Sequence, residues 1–149
     1  MTKTYRSFGA LARALERAAE RLPATYAASM EAGAKAVQDE AKARIGHYQD
    51  GWRPLAQSTV AEKRRLGYAD EENDNPLLRT GEMRDSIKAE ASERGFVVGS
   101  VDDVMVYQEL GTSRIPPRPV LAPSLKATAP AIAKALGRAI RKTLTGGGT

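Results

Sequence analysis

The chain has 149 residues, with 23 Lys and Arg against 18 Asp and Glu, a single His and no Cys. This length suits one domain, because domains commonly contain about 100–150 residues. The lack of Cys excludes disulfides, thiol nucleophiles and thiolate metal sites, and the single His excludes any site that needs two imidazoles. No apolar run approaches the roughly 20 residues of a membrane span, so we expect no contact with a membrane.

The charges are distributed unevenly along the chain. Residues 1–65 carry 12 basic and 7 acidic side chains, residues 66–109 carry 4 and 11, and residues 110–149 carry 7 and none. The three blocks therefore have net charges of +5, −7 and +7. Such asymmetry is typical of nucleic-acid binding, of an acidic partner, or of head-to-tail contact between copies of one chain, and short segments that are simply solvated also show it.

The first part of the chain, residues 7–45, predicts a helical arm. Leu11 and Leu22 belong to an apolar face with helical spacing. Pro23 disfavours helical geometry at the residue before it and removes a backbone donor, so we expect a break or kink there. A second, longer helix is predicted over Ala24–Ile45. Its predicted inner stripe consists of Tyr26, Met30, Gly33, Ala34, Val37, Ala41 and Ile45.

The segment 46–79 lacks a clear period and is punctuated by glycine and proline, which predicts irregular structure. Within it, Ser58 or Thr59 could cap a short helix over residues 60–66. Residues 70–75 form an acidic, polar run that is typical of a mobile loop. A short helical turn is predicted to follow this segment, with Thr80 as its N-cap.

Beyond Ser86 the period of the pattern changes to two, which predicts a small antiparallel sheet within residues 86–110. Ile87, Ala89 and Ala91 alternate with polar residues, as in a half-buried strand. Glu93-Arg94-Gly95 predicts a hairpin turn, after which residues 96–101 return as the partner strand. Residues 104–109 fit either a short helix or a bent strand.

A proline-rich loop over 111–123 and a last helix over 124–144 complete the predicted domain. The loop contains four prolines and cannot be a central strand. The helix has Ile132 and Leu136 on an apolar side and basic residues on the opposite side. Residues 146–149 are expected to form a flexible tail. The prediction is therefore a single α+β domain over 1–145, with N-terminal helices (one of them long), a small antiparallel β-sheet and a C-terminal helix.

No group of side chains predicts catalysis. His47 has no partner at the spacing of a metal site or a general base, so we interpret it as an exposed or packing residue. The adjacent acids Asp102-Asp103 and Glu71-Glu72 lie in turn-like sequence, where carboxylates more often solvate the turn than form an acid/base couple. We therefore expect no enzymatic activity, no cofactor and no metal.

Five sequence blocks, in a fixed order, resemble a known family. They are Trp52-x-Pro54-Leu55-x-x-Ser58-Thr59-x-x-x-Lys63, Pro76-Leu77-Leu78-Arg79-Thr80-Gly81-Glu82-Met83-Arg84-Asp85-Ser86-Ile87, Val97-Val98-Gly99-Ser100, Tyr107-x-Glu109-x-Gly111-Thr112 and Pro117-x-Pro119-x-Leu121-x-Pro123. This pattern resembles the tail-component and tail-completion proteins of long-tailed phages and prophages, and is similar to the virion-morphogenesis proteins of Mu-like phages. Val120 departs from the pattern, since such sequences often have Phe there, and so does the acidic insert 70–75.

The resemblance implies a structural, non-enzymatic virion protein at the head–tail joint, assembled in the cytoplasm of the bacterial host. Proteins of this kind work as rings, with a hexamer as the expected form, between the tail tube and the head connector. A closed ring brings one face of a subunit against a different face of the next, which suits an acidic middle block and a basic end. DNA passes through this joint, so a DNA-contacting accessory protein with non-specific contacts is the alternative.

These arguments select a set of candidate interface residues. The only Trp lies in a proline-bounded turn, where it can equally be a loop anchor. The proline loop forms a rigid surface that carries arginines, and the basic face of the last helix is suited to an acidic partner or to phosphates, or is simply solvated. The candidate interface comprises Trp52, Arg79, Tyr107, Glu109, Arg114, Arg118, Lys134, Arg138 and Arg141.

Overall fold

The computed structural model describes residues 4–146, and within them it has five helices and one two-stranded antiparallel sheet. The helices are α1 (Phe8–Arg44), α2 (Gln57–Arg65), α3 (Glu82–Asp85), α4 (Asp103–Leu110) and α5 (Leu121–Leu144), and the strands are β1 (Ile87–Ser92) and β2 (Gly95–Ser100). The predicted α+β class, with a long N-terminal helix and a C-terminal helix, is confirmed. Residues 147–149 of the predicted tail lie outside the described residues.

The N-terminal segment is one continuous helix, so the predicted break at Pro23 is wrong. Pro23 deprives the carbonyl of Ala19 of its helical donor, and both residues are exposed, so water can hydrate that carbonyl. Residues on both sides of the proline lie beside the last turns of α5. This packing opposes the cost of an internal proline, about 3 kcal/mol. The helix begins at Ser7, whose side chain accepts a hydrogen bond from the Ala10 N–H at 3.1 Å.

Helices α1 and α5 pack against each other in antiparallel orientation. The hydroxyl oxygens of Thr25 and Thr143 are 2.8 Å apart near one end of the pair. Further along, a Cβ atom on Gly33 would lie 3.1 Å from Ile132 Cγ2 on α5 and 3.1 Å from Phe96 Cε1 on β2. A side chain at position 33 would therefore be tightly placed, because side chains of two other elements approach the α1 backbone there.

The predicted antiparallel hairpin is present, with its second strand at Gly95–Ser100, but the sheet is shorter than expected. Ile87 pairs with Ser100 at one end and Ser92 with Gly95 at the other. Residues 103–110, within the range predicted for the sheet, form α4 instead. The side chain of Asp102 accepts a hydrogen bond from the Val104 N–H at 2.9 Å, which caps this helix.

The hydrophobic core lies at the C-terminal end of α1. Its fully enclosed members come from four parts of the chain: Ala41, Ile45, Ile87, Met105 and Val120. Half-buried residues pack around them: Trp52, Leu77, Leu78, Met83, Val98 and Leu121. We call residues 41–121, which surround this core, the compact end. Residues 8–40 of α1 and 122–144 of α5 are the helical pair.

Several predicted local features of the compact end take another form. Helix α2 begins earlier than expected, after Ala56, with no side-chain cap from Ser58 or Thr59. Helix α3 begins after Gly81, at φ 92°, rather than after Thr80. The acidic segment 70–75 contains several hydrogen bonds of its own, since Asp70 Oδ1 accepts from two backbone N–H groups at 2.9 and 2.7 Å. This segment is therefore a structured polar turn.

Candidate assembly interface

The structure divides the nine candidate residues into two groups. Six are exposed: Arg79, Tyr107, Arg114, Lys134, Arg138 and Arg141. The other three contact other residues of the same subunit: Trp52, Glu109 and Arg118. The exposed residues can contact a partner directly. The other three make contacts that hold parts of the same subunit together.

The basic residues of α5 form an exposed, unneutralised face. Lys134, Arg138 and Lys142 follow each other at intervals of four residues, with Arg141 beside them, and all four are exposed. None of them forms an ion pair with another described residue. Like charges at this spacing repel each other by a few tenths of a kcal/mol per pair. An anionic partner on this face would relieve that repulsion.

Exposed carboxylates lie on other elements of the same subunit. Glu90 and Glu93 are on the hairpin, Glu71 and Glu72 are in the acidic turn, and Asp103 begins α4. Within the described part of the chain, none of these five forms an ion pair. The acidic and basic surfaces are therefore on separate elements, and neither neutralises the other within the subunit.

Helix α4 exposes a patch of apolar side chains. Leu110 is 74% exposed and Tyr107 50% exposed, and Val104 and Val106 are close to half exposed. Val101, just before the helix, is 92% exposed. Several exposed apolar side chains on one short helix make it a candidate for protein–protein contact. Tyr107 thus belongs to a larger patch, whose valines and leucine were not among the sequence candidates.

The helical pair has an apolar groove of about 580 Å³ along one side. It exists because the facing positions are almost all small, so the two helices meet without large side chains to fill the space between them. The lining residues are Thr25, Ala28, Ser29, Ala32, Gly33 and Ala36 of α1 and Ala131, Ile132, Ala135, Leu136 and Ala139 of α5.

Glu109 binds the N-terminus of α5. Its carboxylate accepts hydrogen bonds from the backbone N–H groups of Val120 at 2.6 Å, Leu121 at 3.0 Å and Ala122 at 2.9 Å. The next residue, Pro123, has no N–H, so the donors that a first helical turn leaves unpaired are all accounted for. This cap starts α5 three residues before the predicted position, and it uses the carboxylate that we had assigned to the interface.

Arg118 and Trp52 hold two loops together. Arg118 is only 6% exposed, and its Nη2 donates to the carbonyls of Arg53 at 3.0 Å and Pro54 at 3.4 Å. Trp52, just before these two residues, packs against the core. The interpretation of Trp52 as a loop anchor therefore agrees with its position, and Arg118 is not a surface group.

The proline loop is rigid and presents Arg114 at its turn. Gly111 has φ 75°, and a Cβ there would lie 2.9 Å from Pro117 N and Cδ, so no other residue fits without backbone movement. Thr112 N–H donates to the Ile115 carbonyl at 2.9 Å, and the Thr112 hydroxyl accepts from the Arg114 and Ile115 N–H groups. The exposed Arg114 side chain thus extends from a fixed turn.

Comparisons with protein-family models, with curated proteins and with solved structures find no match to this chain. Among residues 4–146 there is no cluster of three or more His, Cys, Asp or Glu side chains that could hold a metal ion. No helix in this part of the chain combines the length and the apolar character that crossing a bilayer requires.

Proposed function

We propose that the chain is a structural subunit of a phage virion, a tail-completion (terminator) or head–tail joining component. In this proposal it assembles in the bacterial cytoplasm as a ring, with six subunits as the expected number, between the tail tube and the head connector of the virion. The resemblance of the five sequence blocks suggests the family. The observation that carries the assembly argument is the separation of exposed, unpaired cations on α5 from exposed, unpaired carboxylates elsewhere on the subunit.

This separation favours head-to-tail contact between copies. The basic α5 faces of two copies repel each other, and so do their acidic surfaces. The basic face of one copy and the acidic surface of another attract each other. A contact between two different faces continues from subunit to subunit and closes into a ring when the rotation allows it. The apolar patch on α4 and the groove of the helical pair add surface that such contacts would bury.

The contact is tested by light scattering of the full chain between 50 mM and 1 M NaCl. We expect an oligomer at low salt that dissociates at high salt, because the Debye length falls from over 10 Å to about 3 Å. A triple variant, Lys134→Gln, Arg138→Gln and Arg141→Gln, is expected to weaken assembly at 50 mM. The matched control removes three exposed cations from the N-terminal part of the chain, outside both surfaces: Arg6→Gln, Arg13→Gln and Arg17→Gln.

The control has the same net charge as the first variant, so only the position of the lost cations differs. It should assemble as well as the wild type. An oligomer whose mass is unchanged up to 1 M NaCl, or equal weakening by the two variants, would contradict the proposed contact.

DNA contact is a second proposal, favoured by the same unneutralised face of α5. A gel shift with duplex DNA of unrelated sequences would show binding at 50 mM salt that weakens steeply with added salt. The triple α5 variant should lose this binding and the control should retain it. No shift at 50 mM salt would eliminate the DNA proposal and leave the ring proposal unaffected.

A further inference from the structure

A cavity of about 400 Å³ at the compact end is lined by cations and no carboxylate. Lys63 of α2, Arg79 and Arg118 line it together with the polar side chain of Gln108. Aliphatic side chains complete the wall, among them Leu55, Leu77 and Met83. The volume is within the range of small-ligand sites, about 300–1,000 Å³.

Two of these cations are almost fully buried, and the carboxylate of Asp74 acts on Lys63 from beyond ion-pair distance. Arg118 is 6% exposed and Lys63 is 3% exposed. The Lys63 ammonium donates to the carbonyl of Asn75, and neither residue forms an ion pair with another described residue. Arg79, which is more exposed, is partly neutralised by Glu62 at 3.3 Å.

Two polar atoms of the residues that line the cavity are also left without partners. The Nε of Arg118 is buried and has no hydrogen-bond partner in the protein, and the same holds for Oε1 of Gln108. The Gln108 amide can rotate to present its N–H groups instead. Arginine remains charged at any working pH, and burying an unpaired charge is costly. Arg118 has no ion-pair partner among the described residues, and an anion bound in the cavity would neutralise its charge.

We propose that this cavity binds a carboxylate carried on an apolar stem. The free Nε–H of Arg118 and the unused N–H groups of Lys63 are the donors for the carboxylate, in the charge-assisted hydrogen bonds that are the strongest kind. The aliphatic wall matches a hydrocarbon stem and not a fully hydrated inorganic anion. Either a small organic acid or an acidic side chain of another copy presents this chemistry, and the site does not depend on the proposed virion role.

The titration behaviour of Lys63 agrees with this geometry. Burial, and secondly the charge of Arg79, hold the pKa of the Lys63 ammonium below the 10.5 of an ordinary lysine, and the carboxylate of Asp74 offsets part of this lowering. A bound carboxylate favours the charged form and would raise that pKa again. Binding should therefore take up protons near the Lys63 pKa and weaken at higher pH.

The test follows the Arg118 Nε–H signal in ¹⁵N-edited NMR spectra of the full chain during titration with sodium butyrate. The signal is assigned by its loss in Arg118→Lys. We expect a saturable shift with butyrate and no comparable shift with NaCl at equal ionic strength. Lys63→Met should weaken binding about tenfold or more, since it removes one charged hydrogen bond. Arg114→Gln, outside the cavity, should bind as the wild type does.

Several results would overturn the proposal: no saturable shift with butyrate, an equal shift with NaCl, or undiminished binding by a folded Lys63→Met variant. Inorganic phosphate that binds more tightly than butyrate would overturn the assignment to a carboxylate. If Arg118→Lys does not fold, Gln108→Leu provides the second variant, with weaker butyrate binding expected.

Dilution without butyrate separates the two sources of the carboxylate. A signal that changes with protein concentration, and competition between butyrate and self-association, indicate a side chain of another copy. A signal that is independent of concentration indicates a free acid. Because butyrate binding is measured on dilute, unassembled protein, its failure is distinguishable from a failure of the ring proposal.

Discussion

The compact end and the helical pair bury their apolar side chains to very different degrees. At the compact end, Ile87, Met105 and Val120 are 0–1% exposed. In the helical pair, Val37 and Met30 of α1 are buried together with small residues such as Ala18 and Ala34, but the large side chains Ile132 and Leu136 of α5 are only half-buried. The compact end therefore encloses a core of its own, although α4 also exposes apolar side chains at its surface, whereas the helical pair encloses fewer large side chains.

The largest effect should come from the core of the compact end. Met105→Ala is expected to lower the free energy of unfolding by about 2–5 kcal/mol, because the Met105 side chain is buried and its removal leaves a cavity in the core. Leu136→Ala, in the half-buried seam of the helical pair, should cost clearly less. Urea unfolding of both variants and the wild type measures the difference. Equal losses would contradict the contrast between the two regions.

The carboxylate cap connects the two regions. Glu109→Gln is expected to lower stability by about 1.5–3 kcal/mol, because a neutral amide replaces the charged acceptor of three backbone N–H groups at the start of α5. Thermal unfolding followed by circular dichroism is the measurement. Glu93→Gln removes an exposed carboxylate and should change stability by no more than about 0.5 kcal/mol. If Glu109→Gln loses no more stability than Glu93→Gln, the hydrogen bonds of Glu109 do not stabilise the start of α5.

The close approach within the helical pair gives a smaller effect. Gly33→Leu should destabilise by about 1–3 kcal/mol, because the new side chain must displace both Ile132 and Phe96. A Cβ atom on Gly137 of α5 would have nothing within 4 Å of it, so Gly137→Ala should instead stabilise by up to about 1 kcal/mol through helix propensity. Unfolding in urea measures both. A neutral Gly33→Leu would mean that α1 and α5 do not pack as described.

The smallest effect concerns Lys63. Its lowered pKa means that the unfolded chain binds more protons than the folded chain between the folded-state pKa and 10.5. The penalty is fully present below the folded-state pKa and is relieved as the pH rises through that window. The unfolding free energy of the wild type, relative to Lys63→Met, should therefore increase with pH in this range. A flat or falling difference would contradict burial of a charged Lys63.

The sequence predicted features that depend on local pattern. The predicted inner stripe of α1 is buried from Met30 to Ile45, and Tyr26, its first member, is half-buried. The stripe was predictable because a helical period identifies the face that packs. The hairpin was predicted from a period of two and a turn at Glu93-Arg94-Gly95, and in the structure Gly95 is already the first residue of the second strand. The break predicted at Pro23 was wrong because helix propensity is a local property. It takes no account of the packing of α1 against α5 on both sides of the proline.

What the sequence could not predict depends on contacts between distant segments. Glu109 resembled a surface acid, and only the approach of residues 120–122 makes it a cap. From the sequence, Lys63 and Arg118 would be expected to lie in solvent, as lysine and arginine usually do. They are buried because loops from other parts of the chain fold over them. The acidic run 70–75 was expected to be mobile, but its Asp and Asn side chains bind the backbone of the same turn.

Native mass spectrometry of the purified full chain tests the central claim, that copies associate head-to-tail into a closed ring. We expect a single dominant stoichiometry above the monomer, with six subunits as the expected number, which falls to the monomer when Lys134, Arg138 and Arg141 are replaced by Gln. A monomer at every protein concentration, or an open-ended series of oligomers with no preferred size, would contradict the claim.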